Sequence, residues 1–334
     1  MIFAKQAKLS TGWASNVRVT HADGRITDIA PNQTPDAHDT CVDTLLPALA
    51  NLHSHSFQRA MAGMTEYRMA GKDSFWTWRD LMYRFTANLT PEHIEAIAAF
   101  VFLEMQEAGY ASVGEFHYLH HQAGGATYDD LGELSSRIAT AAAKTGIGLT
   151  HLPVLYTYGG AGQMPLEAGQ ARFGNSVDRF NDLVARARDV VAHLPADCQV
   201  GIAPHSLRAT SPDDLKAVLA AHTAGPVHIH IAEQPKEVAD ISAWLGARPV
   251  EWLLANADVT TNWCLIHATH MTADETTKMA KSGAVAGLCP RGARWNLRGR
   301  IILRDNATCK HTCNDEGCCF QKLSIHLSWP PVPR

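Results

Sequence analysis

His53 and His55, in the run Leu-Pro-Ala-Leu-Ala-Asn-Leu-His-Ser-His-Ser-Phe, are spaced for metal chemistry. Side chains on a strand alternate with period two, so imidazoles at these two positions project to the same side. The pair offers two neutral nitrogen donors to one divalent ion, and zinc accepts such donors readily. In a chain with 18 histidines the spacing alone is weak evidence. The pattern behind it recurs, however. Apolar runs end in polar residues at Glu115 and His117, His151, His205, His230 and Glu233, then His267 and His270. If His53, His55 and His230 converge, three protein ligands leave a position for water, whose pKa falls toward neutrality. Glu233 is then placed to deliver a proton to a leaving nitrogen. His267 can hold the attacking water or polarise the electrophile. His270 is expected to orient its loop.

The elements that must position these residues are legible in the punctuation. Val17–Thr20 and Arg25–Ile29 flank Asp23-Gly24, a strong hairpin signal. The apolar run Thr44–Leu49 leads into the first histidine pair and predicts a buried strand. From there strands alternate with helices. Pro91 opens a helix to Ala108 with Gly109 just past its end, and further helices are expected over Asp129–Lys144, Val177–His193, from Ser211-Pro212, and over Thr272–Lys281. The strands between them begin at Ala111, Gly148, Gln199, Pro226, Trp263 and Ala284. Seven strand units in near-regular alternation predict an α/β fold, most economically a (β/α)8 barrel lacking its last unit. In that architecture chemistry gathers at the strand C-termini. Three segments follow: a small β portion over 1–45, the barrel over 46–290, and an atypical tail over 291–334.

The 334 residues, 46% hydrophobic, suffice for a full core, and a formal net charge of -4 argues against nucleic acid or a membrane surface as partner. No apolar run is long enough to span a bilayer, and no secretory signal pattern opens the chain, so a cytoplasmic location is expected. Cys41, Cys198, Cys264 and Cys289 read as reduced thiols. Cys309, Cys313, Cys318 and Cys319 crowd the tail. With His311 they could form a zinc knuckle, although their spacings match none of the common paired patterns. Out-of-frame or fused coding sequence after Pro290 accounts for the tail's odd composition more simply.

His53-Ser-His55, His230-Ile-Ala-Glu233 and His267-Ala-Thr-His270 resemble the metal and catalytic motifs of the amidohydrolase superfamily, in its aminohydrolase branch. More narrowly, residues 51–63, 75–83, Gly114-Glu-Phe-His-Tyr-Leu-His-His121 and Ala203-Pro-His-Ser-Leu-Arg208 resemble the formimidoylglutamate deiminase family of histidine degradation. That resemblance implies a hydrolase that uses one zinc ion to convert N-formimino-L-glutamate to N-formyl-L-glutamate and ammonia, and it suggests a homodimer. It implies His53, His55 and His230 as ligands, Glu233 as proton shuttle and His267 as assistant at the water. A substrate with two carboxylates needs cations and donors. Arg79 and Arg208 suit bidentate carboxylate binding, with Gln58, Tyr118 and His205 as hydrogen-bond partners.

The chain departs from the family after Cys289-Pro290. The family's eighth strand supplies an aspartate within a Ser-Asp-Ser-His context, and no such motif occurs here. Asp305 and Asp315 are the only aspartates beyond that point. Without that aspartate, activity is expected to fall by orders of magnitude and folding to suffer. Two other functions stay open: another aminohydrolase acting on a nucleobase or guanidine-like substrate, and a non-catalytic remnant.

Overall fold

The computed structural model describes residues 1–64 and 75–289. The tail expectations, including Asp305, Asp315, the cysteine cluster and the eighth unit, lie outside them. Two compact units divide the described chain after Leu49.

The first unit is a four-stranded sheet. Strands β1 (Ile2–Leu9), β2 (Gly12–Ala22), β3 (Arg25–Ala30) and β4 (Thr40–Leu45) lie in the order β3-β2-β1-β4. β1 pairs antiparallel with β2 and parallel with β4. Asp23 (φ 50°) and Gly24 (φ 73°) make the tight turn between β2 and β3, a left-handed pair that glycine and aspartate tolerate. The small core is Ala4, Ala7, Val17 and Val19.

One expectation is corrected here. Thr44 and Leu45 do not run into the histidine pair as one buried strand, because they end β4. Pro47 breaks the run, and Leu46 and Leu49 are 59% and 43% exposed. A separate strand, β5 (Leu49–Ser54), carries the histidines.

The second unit alternates as the sequence predicts. After β5 come helix α1 (Phe75–Thr86), α2 (Pro91–Glu107) and β6 (Tyr110–His117), then α3 (Glu133–Thr145) and β7 (Gly148–Leu155). Next are α4 (Val177–Val191), the short pair β8 (Gln199–Val200) and β9 (Ala203–Pro204), and α5 (Pro212–Ala221). Last are β10 (Val227–Ile231), α6 (Pro235–Leu245), α7 (Pro249–Asn256), β11 (Trp263–His267), α8 (Ala273–Ser282) and β12 (Val285–Gly287).

Two sheets run β5-β6-β7-β8, with β9 on β7, and β10-β11-β12. The pairings β6–β7, β7–β8, β7–β9, β10–β11 and β11–β12 are parallel. A parallel bridge between Ile202 and Val227 and a bond from His230 N–H to the His205 carbonyl connect the line of strands across β9 and β10. The second unit is thus a line of strand units alternating with helices, parallel at each of these pairings. Among the described residues no ladder joins β12 to β5.

Helix ends follow the capping signals. The Thr90 hydroxyl accepts the His93 N–H ahead of Pro91, and Gly109 (φ +89°) turns the chain into β6. The expected helix from Asp129 starts later, at Glu133, because the Asp130 carboxylate instead accepts the Gly132 N–H at 2.8 Å. α2 and α3 cover β6 and β7 over a core that includes Phe102, Met105, Ile138 and Leu149; α4 packs on β7 and β8, and a second core joins α5 to α8 with β10 and β11. No helix among the described residues is long and apolar enough to cross a membrane.

One buried cation ties the loops together. The Arg172 guanidinium, 4% exposed, donates to the carbonyls of Thr86, Leu89 and His121. Among the described residues no carboxylate pairs with it. Thr86 and Leu89 stand at and just past the C-terminus of α1, where unpaired carbonyls concentrate partial negative charge. Arg172 thereby fixes α1, the helix that carries Arg79.

Candidate metal centre and active site

At the C-terminal end of β5, His53 and His55 meet His230 from the end of β10. Their ring centroids lie 4.4 Å (53–55), 4.8 Å (53–230) and 5.2 Å (55–230) apart. One nitrogen from each falls within 4.8 Å of the others, and all three residues are buried. His53 Nε2 and His230 Nε2 face each other at 3.1 Å. Two nitrogens bound to one tetrahedral zinc at about 2.0–2.1 Å stand about 3.3 Å apart, so this spacing suits a shared ion. His55 Nδ1 contacts the Phe116 carbonyl at 2.8 Å, which fixes its proton there and leaves Nε2 with a lone pair. Burial, followed by the neighbouring imidazoles, holds His230 well below its ordinary pKa. A neutral imidazole is the form that ligates. The donor set therefore fits one divalent metal ion.

Next to the triad stand the groups expected to do the chemistry. His267 stacks on His230 at 5.2 Å, with Nε2 3.4 Å from Glu233 Oε1. The other Glu233 oxygen lies 3.7 Å from Arg208 Nη2. Both turns leaving β10 and β11 are left-handed at non-glycine residues: Ala232 (φ 50°), His267 (φ 73°) and Ala268 (φ 48°). Such backbone strain persists only where surrounding bonds hold it, and it clusters at functional sites. The two turns are laced together by bonds from Ala268 N–H to the Ile231 carbonyl and from His270 N–H to the Ala232 carbonyl. Arg248 donates to the His270 carbonyl and pairs with Glu275 at 3.0 Å. His270 thus joins two loops through its backbone, outside the triad.

The expected substrate-binding residues gather on one side. Gln58 Nε2 donates to the Tyr118 hydroxyl at 2.7 Å, and that hydroxyl lies 3.3 Å from the Met82 sulfur. The His205 ring packs 4.6 Å from Tyr156 and 4.9 Å from His230. Arg79 reaches from α1, its guanidinium 5.5 Å from the centre of the Tyr83 ring and 3.8 Å from Glu167. Burial pushes the Tyr156 hydroxyl upward in pKa, opposed by the charges of both Arg208 and Arg79. Two cations therefore act on one buried phenol beside the triad. Four members went unnoticed in the sequence: Tyr83, Tyr156, Gln170, whose Nε2 donates to Tyr156 at 3.0 Å, and Glu237. Only Glu237 left a trace, a second carboxylate four residues after Glu233.

Three of the polar strand residues lie elsewhere. Phe116 packs on the triad, its ring 4.2 Å from His230, so its neighbours Glu115 and His117 face the other way. Glu115 Oε1 accepts the Ser56 N–H and hydroxyl, both at 2.8 Å, and burial lifts its pKa to about 7. His117 forms a second buried group with His151 at 5.5 Å and His120 at 5.7 Å between ring centres. His151 Nε2 contacts the Ser135 hydroxyl under α3, and His120 Nε2 donates to the Val154 carbonyl, both at 3.0 Å.

Comparison with known proteins agrees with this geometry. Residues 44–324 match the model of the amidohydrolase family, and residues 1–41 match the N-terminal domain of formimidoylglutamate deiminase HutF. The chain is 51% identical over 290 residues to a formimidoylglutamate deiminase of Pseudomonas aeruginosa, covering 86% of this chain and 64% of that protein. It is 25% identical to a 5-methylthioadenosine/S-adenosylhomocysteine deaminase of Nitratidesulfovibrio vulgaris, over 84% of this chain and 55% of the relative. The crystal structure of an amidohydrolase from Brucella melitensis superposes with a TM-score of 0.86 at 49% identity, covering 89% of this chain and 66% of that one. The chain thus spans just under two thirds of the length of these two more similar relatives.

Proposed function

The chain belongs to the amidohydrolase family, and on that premise we propose that it is a zinc-dependent formimidoylglutamate deiminase. It would hydrolyse N-formimino-L-glutamate to N-formyl-L-glutamate and ammonia. The observation that carries this reading is the placement of Arg79 and Arg208 around buried Tyr156, beside the histidine triad. Two cations suit a substrate with two carboxylates. Support also comes from the 51% identity to the Pseudomonas aeruginosa enzyme.

His53, His55 and His230 would hold the ion, and a set of three neutral nitrogens with an open position favours zinc. When bound, the ion supplies Lewis acidity that makes water a competent nucleophile near neutral pH. The chain's own residues do the rest. Arg79 and Arg208 take the carboxylates, with Gln58, Tyr118 and His205 as hydrogen-bond partners. Orientation by these groups lays the formimino carbon against the triad. As water adds to that carbon, Glu233 accepts one of its protons and passes it to the formimino nitrogen. The adduct's C–N bond then breaks as its hydroxyl becomes the formyl carbonyl, and Glu233 carries that second proton to the nitrogen that leaves as ammonia. His267, 3.4 Å from Glu233, holds that carboxylate and the incoming water in register. The strand line belongs in this reading to a (β/α)8 barrel, with the small β portion over 1–45 and the tail over 291–334 outside it. A homodimer and a cytoplasmic location accompany it as expectations.

The test is ammonia release by the purified, zinc-loaded chain from N-formimino-L-glutamate, with 5-methylthioadenosine as the competing substrate. Turnover is expected for the dicarboxylate alone. Calorimetry with N-formyl-L-glutamate reads the same pocket independently of rate. Failure to bind that ligand, or preference for the nucleoside, would sink the assignment.

A further inference from the structure

Glu237 is among the most buried carboxyl groups of the described chain, 2% exposed, and lies in the first turn of α6. It lies outside the histidine triad. Its Oε1 accepts the Ala232 N–H at 3.1 Å and its Oε2 accepts the Glu233 N–H at 2.9 Å. Those amides belong to the turn that follows His230, where Ala232 adopts φ 50°. A left-handed alanine is unfavourable by itself, so bonds from outside the turn must hold it. The same Oε2 stands 3.9 Å from Arg208 Nε, on the guanidinium whose Nη2 lies 3.7 Å from Glu233. One buried carboxylate therefore touches the backbone that presents Glu233 and balances the cation that flanks it. Carboxylates that accept two backbone N–H bonds at a chain reversal fix its geometry firmly.

We propose that Glu237 is the positioning residue of this site: its carboxylate clamps the left-handed turn at Ala232 and so sets where the Glu233 side chain stands. The role assigned to Glu233 comes from the proposed deiminase activity; the clamp itself is a statement about the fold. An apolar residue at this position would leave two buried N–H groups without acceptors. Glutamine keeps one acceptor oxygen but turns an NH2 toward the second amide, so it loses half the clamp.

The experiment compares the full, zinc-loaded chain with Glu237→Gln by hydrogen exchange resolved at Ala232 and Glu233, together with zinc content and steady-state kinetics. Exchange at the two amides is expected to quicken by about 10-fold or more, in line with the loss of one charge-assisted bond. Zinc content should be unchanged. With N-formimino-L-glutamate, kcat should fall by about 10-fold or more while KM moves by less than about 3-fold, because the clamp acts on the proton shuttle. Unchanged exchange at both amides in folded Glu237→Gln overturns the proposal. Should that variant not fold, the native chain still decides, since rapid exchange of Ala232 and Glu233 in it would equally overturn the clamp. A wild-type chain that ignores N-formimino-L-glutamate counts against the deiminase assignment and leaves the exchange result standing.

Discussion

Two buried groups of three imidazoles lie on the same run of parallel strands, and their chemistry differs. In the triad of His53, His55 and His230 the ring centres are 4.4–5.2 Å apart and a nitrogen from each lies within 4.8 Å of the others. In the group of His117, His120 and His151 the rings measured from His117 are 5.5 and 5.7 Å away. Among the described residues, only the first qualifies as a cluster able to hold a metal. The triad is bordered by a carboxylate and a guanidinium, whereas the second group meets a carbonyl and a hydroxyl that serve the packing of β6 and β7. Composition does not separate the two. The face of the strand does, because one residue's shift in register reverses which side of the sheet receives the ring.

The contrast is sharpest where metal is removed. Replacing His53, His55 or His230 by asparagine should abolish zinc retention and reduce ammonia release by about 10⁴-fold or more. His120→Asn should leave the zinc content intact. Elemental analysis of the purified variants checks both, and equal metal loss from His120→Asn would erase the distinction. Glu233→Gln should retain zinc and lower kcat by about 10²–10⁴-fold, the usual worth of a positioned proton carrier. A variant with wild-type kcat would remove Glu233 from the chemistry. Arg208→Met and Arg79→Met should act on binding, weakening N-formyl-L-glutamate by about 10²-fold each as a charge-assisted pair is lost. Calorimetry showing unchanged affinity for the dicarboxylate would move the carboxylate site elsewhere.

The smallest effect belongs to the second group and appears as acid sensitivity. Burial holds His151 at about 3, against an unfolded value near 6.5. Below pH 6.5 the unfolded chain takes up a proton that the folded chain refuses. Stability present above pH 6.5 is therefore lost as pH falls toward 3. By pH 5 the share from His151 is about 2 kcal/mol. His151→Gln, which can still donate to the Ser135 hydroxyl, should flatten that slope in denaturant midpoints measured from pH 7 to pH 5. Parallel curves for the two proteins would mean that His151 does not carry the acid sensitivity.

Legibility in the sequence tracked the range of the forces involved. Caps and turns are local: Asp23-Gly24, Pro91 and Thr272 marked their elements because each acts within a few residues of itself. The alternation of strands and helices was readable for the same reason. The histidine triad was readable in outline, since period two and strand ends constrain where His53, His55 and His230 can point. Less was legible where geometry is set at long range. Nothing local distinguishes Tyr156 or Gln170 from ordinary core residues, and their place beside Arg79 and Arg208 arises from the packing of segments that follow three different strands, β5, β7 and β9. The run Thr44–Leu49 misled for the opposite reason. Its apolar composition continues across a boundary that Pro47 and the pairing of β4 with β1 impose.

Arg172 has a consequence for how the protein responds to its medium. Its charge is met by carbonyl dipoles in the interior, so dissolved ions have little access to that interaction. The capture of a dicarboxylate proposed for Arg79 and Arg208 would begin in open solution, where ionic strength screens it strongly. Salt should therefore slow the arrival of substrate while the helix that receives it stays docked, and a titration with potassium chloride can separate recruitment from architecture without changing a residue.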